Sequence, residues 1–230
     1  MSEAFDTTVE RAGGAGADWL AALPPATTDT QRSQLLRYLE LLQRWNRVYN
    51  LTAVRDATDM LTLHLADCLA ALPSIAARHP ARLLDVGSGG GLPGMVLAIM
   101  LPNTHVVLND AVQKKCAFLQ QVGATLRLPN LEVVHARVET LTCEPFDCIT
   151  SRAFSELAAF VELTRHLLAQ NGAWAAMKGR VPTAELDALP HDIDARVEPL
   201  SVPGLDAQRC IVWMQPHAAS HSQPDSIGDS

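Results

Sequence analysis

Residues 83–94 read LLDVGSGGGLPG, a run in which a short apolar segment ends in the acid Asp85 and continues into glycines. Glycine lets the backbone turn tightly and approach a ligand without a Cβ atom in the way. A helix that follows such a loop presents free N–H groups to the ligand. The stretch therefore predicts a strand, a loop that binds a nucleotide-like cofactor, and a helix.

Two cofactor classes fit this loop. Residues 89–94, beginning with Gly89, match the G-x-G-x-x-G spacing of dinucleotide-binding proteins, although that match alone is weak. Asp85 argues against a dinucleotide, because a carboxylate at the carboxyl end of the strand would repel the pyrophosphate. S-adenosylmethionine has an α-ammonium and a sulfonium and carries no phosphate. The order of acid and glycines therefore favours S-adenosylmethionine, with Asp85 and Gly89 in its binding site.

A second acid follows the next apolar segment. Residues 105–110 read HVVLND, so that Asp110 lies about twenty residues beyond the glycine loop. A carboxylate at this offset commonly binds the ribose hydroxyls of an adenosine. NAD sites also bind the ribose with such a carboxylate. Asp110 therefore predicts an adenosine-containing ligand but does not distinguish S-adenosylmethionine from a dinucleotide.

Composition limits the class of protein. The chain has 230 residues, of which 48% are hydrophobic, enough for one α/β core. It lacks a run of eighteen uncharged apolar residues, and its N-terminus does not resemble a secretory signal. The five cysteines have no C-x-x-C spacing, and the histidines show no metal-ligand spacing. We expect a cytoplasmic protein without a membrane segment or a metal site.

The ends of the chain differ from its middle in composition. Residues 1–30 are rich in Gly, Ala and Thr, and residues 216–230 are rich in Ser, His and Asp. We expect both to be disordered, leaving a single domain over residues 31–215 with a helical extension over residues 31–75. The formal charge of −7 argues against binding nucleic acid by bulk electrostatics, so any such binding must be local.

Apolar residues recur at helical spacing in two N-terminal segments, and strand-like and helix-like segments alternate after residue 82. The predicted helices cover residues 31–48, 58–72, 93–101, 112–127 and 156–169. The predicted strands cover residues 82–86, 105–109, 131–135, 146–150 and 173–177, followed by a hairpin of about 193–201 and 208–214. The turn Asn171-Gly172 is placed before the fifth strand. This pattern is typical of an α/β fold with a doubly wound, mostly parallel, seven-stranded sheet.

Several ordered motifs extend beyond the glycine loop. They are WNRVYNLTA at residues 45–53, His64 with Asp67, residues 85–94, Asp110 with Lys114-Lys115, Arg137-Val138-Glu139, Ser151-Arg152-Ala153 and Lys178-Gly179. With these motifs the chain resembles, from about Leu36 to Met214, the glucose-inhibited division protein B family of ribosomal RNA small-subunit (guanine-N7) methyltransferases. The resemblance implies a Rossmann-like class I methyltransferase. Such an enzyme uses S-adenosylmethionine to methylate N7 of a guanine in a conserved loop of small-subunit (16S) ribosomal RNA.

The resemblance also implies cofactor residues. By position in the family motifs these are Gly87, Leu92, the pair Val138-Glu139, and Arg152. The pair follows the third predicted strand, where a carboxylate can accept a hydrogen bond from the adenine amino group. The chain departs from the family pattern at Leu63, Cys68 and Asn109.

Guanine N7 carries a lone pair and no proton, so methylation needs no general base. We expect catalysis by positioning, with Arg137, Arg152 and Lys178 as candidates for contacts to the base or to phosphate. Phe154 is a candidate stacking surface for the base. His64 and Asp67, at i and i+3, are interpreted as a structural hydrogen-bonded pair.

Other functions remain compatible with the loop alone. They are a class I methyltransferase acting on another RNA, a protein or a small molecule, a non-catalytic S-adenosylmethionine-binding regulator, and a nicotinamide-dependent dehydrogenase. If the chain is a ribosomal RNA methyltransferase, as the resemblance implies, its expected partner is the RNA within the small subunit or an assembly intermediate. Nothing in the sequence requires a dimer, and a monomer is favoured.

Overall fold

The protein is described by a computed structural model that covers residues 20–152 and 154–217. Seven strands form one sheet in the order β3-β2-β1-β4-β5-β7-β6. The strands are β1 (Arg82–Val86), β2 (His105–Asp110), β3 (Leu131–His135), β4 (Phe146–Arg152), β5 (Leu168–Lys178), β6 (Ile193–Leu200) and β7 (Arg209–Pro216). The first five are parallel, and β7 is antiparallel to both β5 and β6. The predicted α/β fold with a mostly parallel seven-stranded sheet is confirmed.

Helices cover both faces of the sheet. They are α1 (Asp29–Tyr49), α2 (Ala57–Met60), α3 (Asp67–Ala76), α4 (Gly94–Met100), α5 (Gln113–Leu126), α6 (Leu157–Thr164) and α7 (Thr183–Asp187). Successive strand residues enter different cores: Leu83 packs with the helices α1 and α3 to α5, whereas its neighbour Leu84 packs with α6. This period of two is that of a strand buried on both faces, as in a doubly wound fold.

The N-terminal helices differ from the prediction at their ends. Helix α1 begins at Asp29 because Thr28 and Gln31 form a reciprocal capping box, which the apolar periodicity did not reveal. The second predicted helix is in fact α2, a π-helical segment Leu61–Ala66, and α3. It continues past Pro73, where the prediction ended it, and buries Ile75 completely.

That second helical segment is the one part of the described chain that is long and apolar enough to cross a membrane by length and composition. It spans Thr58–Ala76, and 67% of it is buried inside the fold. Burial of this extent is what a core helix of a folded domain shows.

The prediction for residues 156–177 needs correction. The helix α6 ends at Thr164, a short 3-10 turn follows, and β5 begins at Leu168, so Asn171-Gly172 lies inside the strand and not in a turn before it. The register of β4 and β5 shifts between Phe146 and Cys148, which accommodates extra residues in β5. Gly172 permits this bulge, because a Cβ atom there would lie 2.9 Å from the Phe146 carbonyl oxygen.

The predicted termini fall largely outside the described residues. The predicted disorder of residues 1–19 and 218–230 therefore lies outside the residues that the structure describes. Of residues 20–30, Ala22 and Leu23 pack against the core, and Thr28 caps α1. The helix α7 was not predicted.

The loop between β1 and α4 depends on a close approach at Gly94, the first residue of α4. A Cβ atom there would lie 2.7 Å from the Asp85 Cβ atom and would overlap the Leu108 side chain on β2. Both neighbours belong to central strands that cannot move easily. The absence of a side chain therefore brings the N-terminus of α4 onto the end of β1.

We expect Gly94→Ala to destabilise the fold by about 1–3 kcal/mol through overpacking, although alanine is the better helix former. The measurement is the free energy of unfolding from urea denaturation. Gly179→Ala is the matched control, because its Cβ atom would meet only Arg209 Nη1, at 3.9 Å. The control should stay within about 0.5 kcal/mol of wild type. Equal stability of Gly94→Ala and Gly179→Ala would contradict the close approach.

Candidate active site

The glycine loop has a backbone that other residues would strain. Gly87, Gly89 and Gly91 have φ values of +65°, +58° and +97°, in the left-handed region. Ser88 N–H donates to the Asn109 carbonyl at 3.0 Å, which ties the loop to the end of β2. The loop therefore lies at the carboxyl edge of the sheet, where open α/β sheets bind their ligands.

Asp110 holds two segments together at this edge. Its Oδ2 atom accepts a hydrogen bond from Gly89 N–H at 3.0 Å, and its Oδ1 atom accepts one from Val112 N–H at 2.9 Å. Lys115 Nζ lies 3.5 Å from Oδ2. A carboxylate has about four acceptor positions, so lone pairs remain for the hydroxyls of a ligand.

A cavity of about 260 Å³ opens beside Asp110. The lining residues are Gly87, Asn109, Asp110, Ala111, Ala136, Arg137, Val138, Glu139, Phe154 and Leu163. It therefore brings together six of the residues predicted from the sequence, namely Gly87, Asp110, Arg137, Val138, Glu139 and Phe154. A Cβ atom on Gly87 would lie 2.7 Å from Phe154 Cδ2, so the absence of a side chain keeps this side of the cavity clear.

The residues present fit the adenosine part of S-adenosylmethionine. Asp110 is 4% exposed and can accept from ribose hydroxyls, and apolar surface for a ring comes from Val138 and Phe154. The buried acid Asp85 lies under the same loop.

Asn109 holds the far wall of this cavity. The side chain is 2% exposed, and its amide donates to the Ala136 carbonyl at 2.9 Å and to the Val134 carbonyl at 3.3 Å. At this departure from the family pattern, a polar side chain anchors the segment that leads to Arg137 and Glu139.

Glu139 is already engaged in the structure. Arg137 donates from Nε to Glu139 Oε1 at 2.6 Å, and both residues are exposed. Its own backbone N–H and Arg137 lower the pKa of the Glu139 carboxyl, so it is ionised at neutral pH. Sequence reasoning gave these two residues separate roles, on the cofactor and on the RNA, but the structure shows them as an ion pair.

Asp85 lies below the loop and does not line the cavity. Its Oδ2 atom accepts from Gly94 N–H at 3.0 Å, while its Oδ1 atom is buried without a hydrogen-bond partner. Burial raises the pKa of Asp85 from 3.8 to about 7, against the opposing effect of the Gly94 hydrogen bond. Gly89 and Leu92 belong to the same loop, with Leu92 buried in the core.

Arg152 and Lys178 line a different cavity, of about 450 Å³. Arg152 Nη1 donates to the Leu63 carbonyl at 3.1 Å and to Asp67 Oδ2 at 3.2 Å. Lys178 Nζ donates to Glu185 Oε2 at 2.7 Å and to the Ser155 carbonyl at 3.2 Å. Of the predicted site residues, Gly87, Asp110, Arg137, Val138 and Glu139 therefore line one cavity, and Arg152 and Lys178 line the other. Asp85, Gly89 and Leu92 line neither of these two cavities.

His64 and Asp67 do not form the predicted pair, because both face Arg152. His64 Nδ1 lies 3.5 Å from Arg152 Nη2, and its Nε2 lies 2.8 Å from the Thr52 hydroxyl. Burial, assisted by the Arg152 charge, lowers the pKa of His64 to about 4, so the ring is neutral at pH 7. A neutral ring facing a guanidinium accepts at Nδ1 and carries its proton at Nε2.

The same contacts explain a motif that the sequence left without a role. Asn46 is 2% exposed; its amide donates to the Val54 carbonyl at 3.0 Å, and its carbonyl accepts from Thr52 N–H at 2.9 Å. These bonds fix Thr52 against His64. The polar residues of the WNRVYNLTA motif thus connect α1 to Arg152.

Sequence reasoning missed Arg209 and Glu185. Arg209 Nε donates to Asp67 Oδ1 at 2.9 Å across 142 residues of sequence, and no local pattern marks such a contact. Glu185 accepts from Leu157 N–H at 2.9 Å, at the start of α6, as well as from Lys178. Within residues 20–152 and 154–217, no group of three metal-binding side chains is found.

We expect Asp85→Asn to change how stability depends on pH. The folded-state pKa of Asp85 lies above its unfolded value, so wild type loses stability as pH rises from about 4 through about 7, by up to about 1.4 kcal/mol per pH unit. The neutral variant lacks this loss. Its melting temperature relative to wild type should therefore rise between about pH 5.5 and pH 8.

The control for this titration is Asp59→Asn, which removes an exposed carboxylate. Because this side chain is exposed, the melting temperature of the variant should stay within about 3 °C of wild type. A pH-independent difference for Asp85→Asn would show that Asp85 is not an acid with a raised pKa.

The comparisons with known proteins agree with this geometry. A family model described as GidB, rRNA small subunit methyltransferase G, matches residues 31–212. The chain is 56% identical over 205 residues to Ribosomal RNA small subunit methyltransferase G of Leptothrix cholodnii, covering 87% of this chain and 94% of that protein. The chain is 51% identical over 230 residues to the protein of the same name in Acidovorax sp. (strain JS42), covering 95% of this chain and 100% of that protein.

Solved structures share the fold at low identity. The Podospora anserina methyltransferase PaMTH1, solved with bound SAH, has a TM-score of 0.52 at 14% identity, covering 79% of this chain and 88% of that one. A putative O-methyltransferase from Klebsiella pneumoniae has a TM-score of 0.57 at 12% identity, covering 86% and 94%. Both support the class I methyltransferase fold.

The resemblance found in the sequence motifs and the preference for S-adenosylmethionine over a dinucleotide are thereby confirmed. The family model covers residues 31–212, which include β1 to β6, the first residues of β7 and the residues of both cavities. The chain belongs to the rRNA small subunit methyltransferase G family, whose members are S-adenosylmethionine-dependent methyltransferases.

Proposed function

We propose that this chain transfers the methyl group of S-adenosylmethionine to N7 of a guanine in a conserved loop of 16S ribosomal RNA. The single observation that carries the proposal is the cavity formed by Gly87, Asp110 and Val138, in a chain of this family. The reaction takes place in the cytoplasm, on the small subunit or an assembly intermediate, and the enzyme acts as a monomer.

The donor side of the reaction belongs to the Asp110 cavity. Asp110 accepts from the ribose hydroxyls, and Val138 with Glu139 contacts the adenine. Support comes from the buried carboxylate of Asp110, which is already oriented by two backbone N–H groups. Preorganisation of this kind lowers the entropy cost of binding.

The loop residues act beneath the cofactor. Asp85 fixes the start of α4 through Gly94, Gly89 binds Asp110, and Leu92 fills the core below the loop. Gly87 leaves space for the ligand next to Phe154. These contacts keep the loop open for the methionine part of the cofactor.

S-adenosylmethionine, when bound, supplies an electrophilic methyl group on a sulfonium. The N7 lone pair forms the new bond to the methyl carbon as the carbon–sulfur bond breaks. The electron pair of the broken carbon–sulfur bond stays on sulfur. No proton is removed, and the positive charge passes to the purine. The residues of the chain therefore need only align the two reactants, which is worth an effective molarity of about 10⁵ M or more.

Three cations are available to hold the RNA. Arg152 is anchored to Leu63 and Asp67, which makes it the best oriented of the three. Arg137 has a side chain that is 75% exposed, suited to a phosphate contact beside the cofactor. Lys178 can reach RNA only by giving up its ion pair with Glu185.

The reaction is tested by transfer of a labelled methyl group to purified small subunits from a strain lacking this protein. Borohydride and aniline cleavage then locates any N7-methylguanine. We expect a single cleavage site with wild type and none with Arg152→Ala, because the alanine variant loses the contacts next to the acceptor. Labelling of protein only, or no labelling despite cofactor binding, would contradict the RNA assignment.

The donor site is tested by cofactor affinity. We expect Asp110→Ala to weaken S-adenosylmethionine binding by at least about tenfold in isothermal titration calorimetry, because it loses the ribose acceptor and the tie to Gly89. Asp59→Ala, an exposed carboxylate elsewhere, should bind as wild type. Unchanged affinity in Asp110→Ala would place the cofactor elsewhere.

A further inference from the structure

The cavity that contains Arg152 is distinct from the cofactor cavity and has its own charge. Of its lining residues, the ionic ones are Asp67, Arg152, Lys178 and Arg209. Lys178 is neutralised by Glu185, and the two arginines share the single carboxylate of Asp67. The cavity therefore keeps about one unit of positive charge, which suits a ligand with oxygen acceptors.

Asp67 orients both arginines at once. Its Oδ2 atom lies 3.2 Å from Arg152 Nη1, and its Oδ1 atom lies 2.9 Å from Arg209 Nε. The Asp67 side chain is only 6% exposed, and those of Arg152 and Arg209 are 23% and 22% exposed. A buried carboxylate that holds two cations in this way fixes their planar donor groups, and the N–H groups it does not use remain for a ligand.

The cavity lies at the carboxyl edge of the sheet, as the cofactor cavity does. Arg152 and Lys178 end the strands β4 and β5, and Arg209 begins the antiparallel strand β7, which brings all three to the carboxyl edge of the sheet. Arg152 lines this cavity, whereas Phe154, two residues further on, lines the cofactor cavity. One short segment of chain therefore separates the two.

The cavity is also large enough and open enough for a nucleobase. Its volume is about 450 Å³, against about 260 Å³ for the cofactor cavity. Gly179 lines it, and a Cβ atom there would meet only Arg209 Nη1, at 3.9 Å. The backbone after β5 thus leaves free space next to the Arg209 guanidinium.

We propose that this second cavity receives the acceptor guanine nucleotide, that Arg209 contacts its oxygen acceptors, and that Asp67 is the positioning residue for Arg152 and Arg209. The proposal rests on the proposed function. Arginine is the side chain that most often reads the O6 edge of guanine, and it also binds phosphate. Contact to O6 leaves N7 free to face the methyl donor.

The proposal is tested by kinetics of methyl transfer to small subunits. In Arg209→Ala, kcat/KM for the subunit should fall by at least about tenfold, while the Kd for S-adenosylmethionine stays within about twofold of wild type. Arg209→Gln serves if the alanine variant does not fold. The matched control is Arg196→Ala on β6, an exposed arginine paired with Glu198, which should keep wild-type kinetics.

Asp67→Asn tests positioning. The asparagine keeps the side-chain volume but loses the charge that holds both arginines, so we expect a lower kcat with unchanged cofactor affinity.

The salt dependence of KM distinguishes the two oxygen acceptors that Arg209 could contact, guanine O6 and phosphate. Loss of a phosphate contact in Arg209→Ala should reduce the salt slope by about one unit, whereas loss of a contact to O6 should leave the slope unchanged.

Two results would overturn the proposal while leaving the proposed function intact. One is wild-type kcat/KM in Arg209→Ala, and the other is an equal loss of cofactor affinity, which would assign Arg209 to the donor site. Failure of the wild-type enzyme itself to methylate small subunits would instead contradict the proposed function.

Discussion

The carboxylate of Asp110 joins the two loops on which the donor site depends. It accepts from Gly89 in the loop after β1 and from Val112 before α5, and so fixes the relative positions of two neighbouring crossovers. The glycine loop contains three residues with positive φ. An acid from the next strand therefore both supports this loop and faces the cavity beside it.

The second organising feature is the segment that follows β4. Arg152 is tied back to the N-terminal helices through Leu63 and Asp67, and Phe154 packs against Gly87. Glu185 caps the start of α6 and pairs with Lys178, which in turn holds the Ser155 carbonyl. Arg152 and the residues that begin α6 are thus both anchored, as alignment of a methyl donor and an acceptor requires.

The sequence alone predicted what local patterns encode. The glycine loop, the acids Asp85 and Asp110, the seven strands and the family followed from spacing and motif order, and the fold and the family are confirmed. The bulge at Gly172 was missed because asparagine and glycine commonly mark turns, and only the register of β4 against β5 shows otherwise. The second helix was predicted to end at residue 72, because the local apolar spacing does not include the burial of Ile75.

The partners of charged side chains were the least predictable part of the site. Arg137 lies two residues from Glu139, yet the sequence assigned the two to different ligands. Asp67 and Arg209 are 142 residues apart and meet only because β7 inserts next to β5. Long-range contacts of this kind follow from the sheet order, which must be known before they can be inferred.

We propose that two cavities divide the reaction, with the methyl donor in the cavity of Gly87 and Asp110 and the acceptor in the cavity of Asp67 and Arg209. A crystal structure with S-adenosylhomocysteine bound tests it most directly. We expect the adenosine in the cavity of Gly87, Asp110 and Val138, with the ribose hydroxyls on Asp110 and the cavity of Asp67 and Arg209 left open. Adenosine in the cavity of Asp67 and Arg209 would contradict the account.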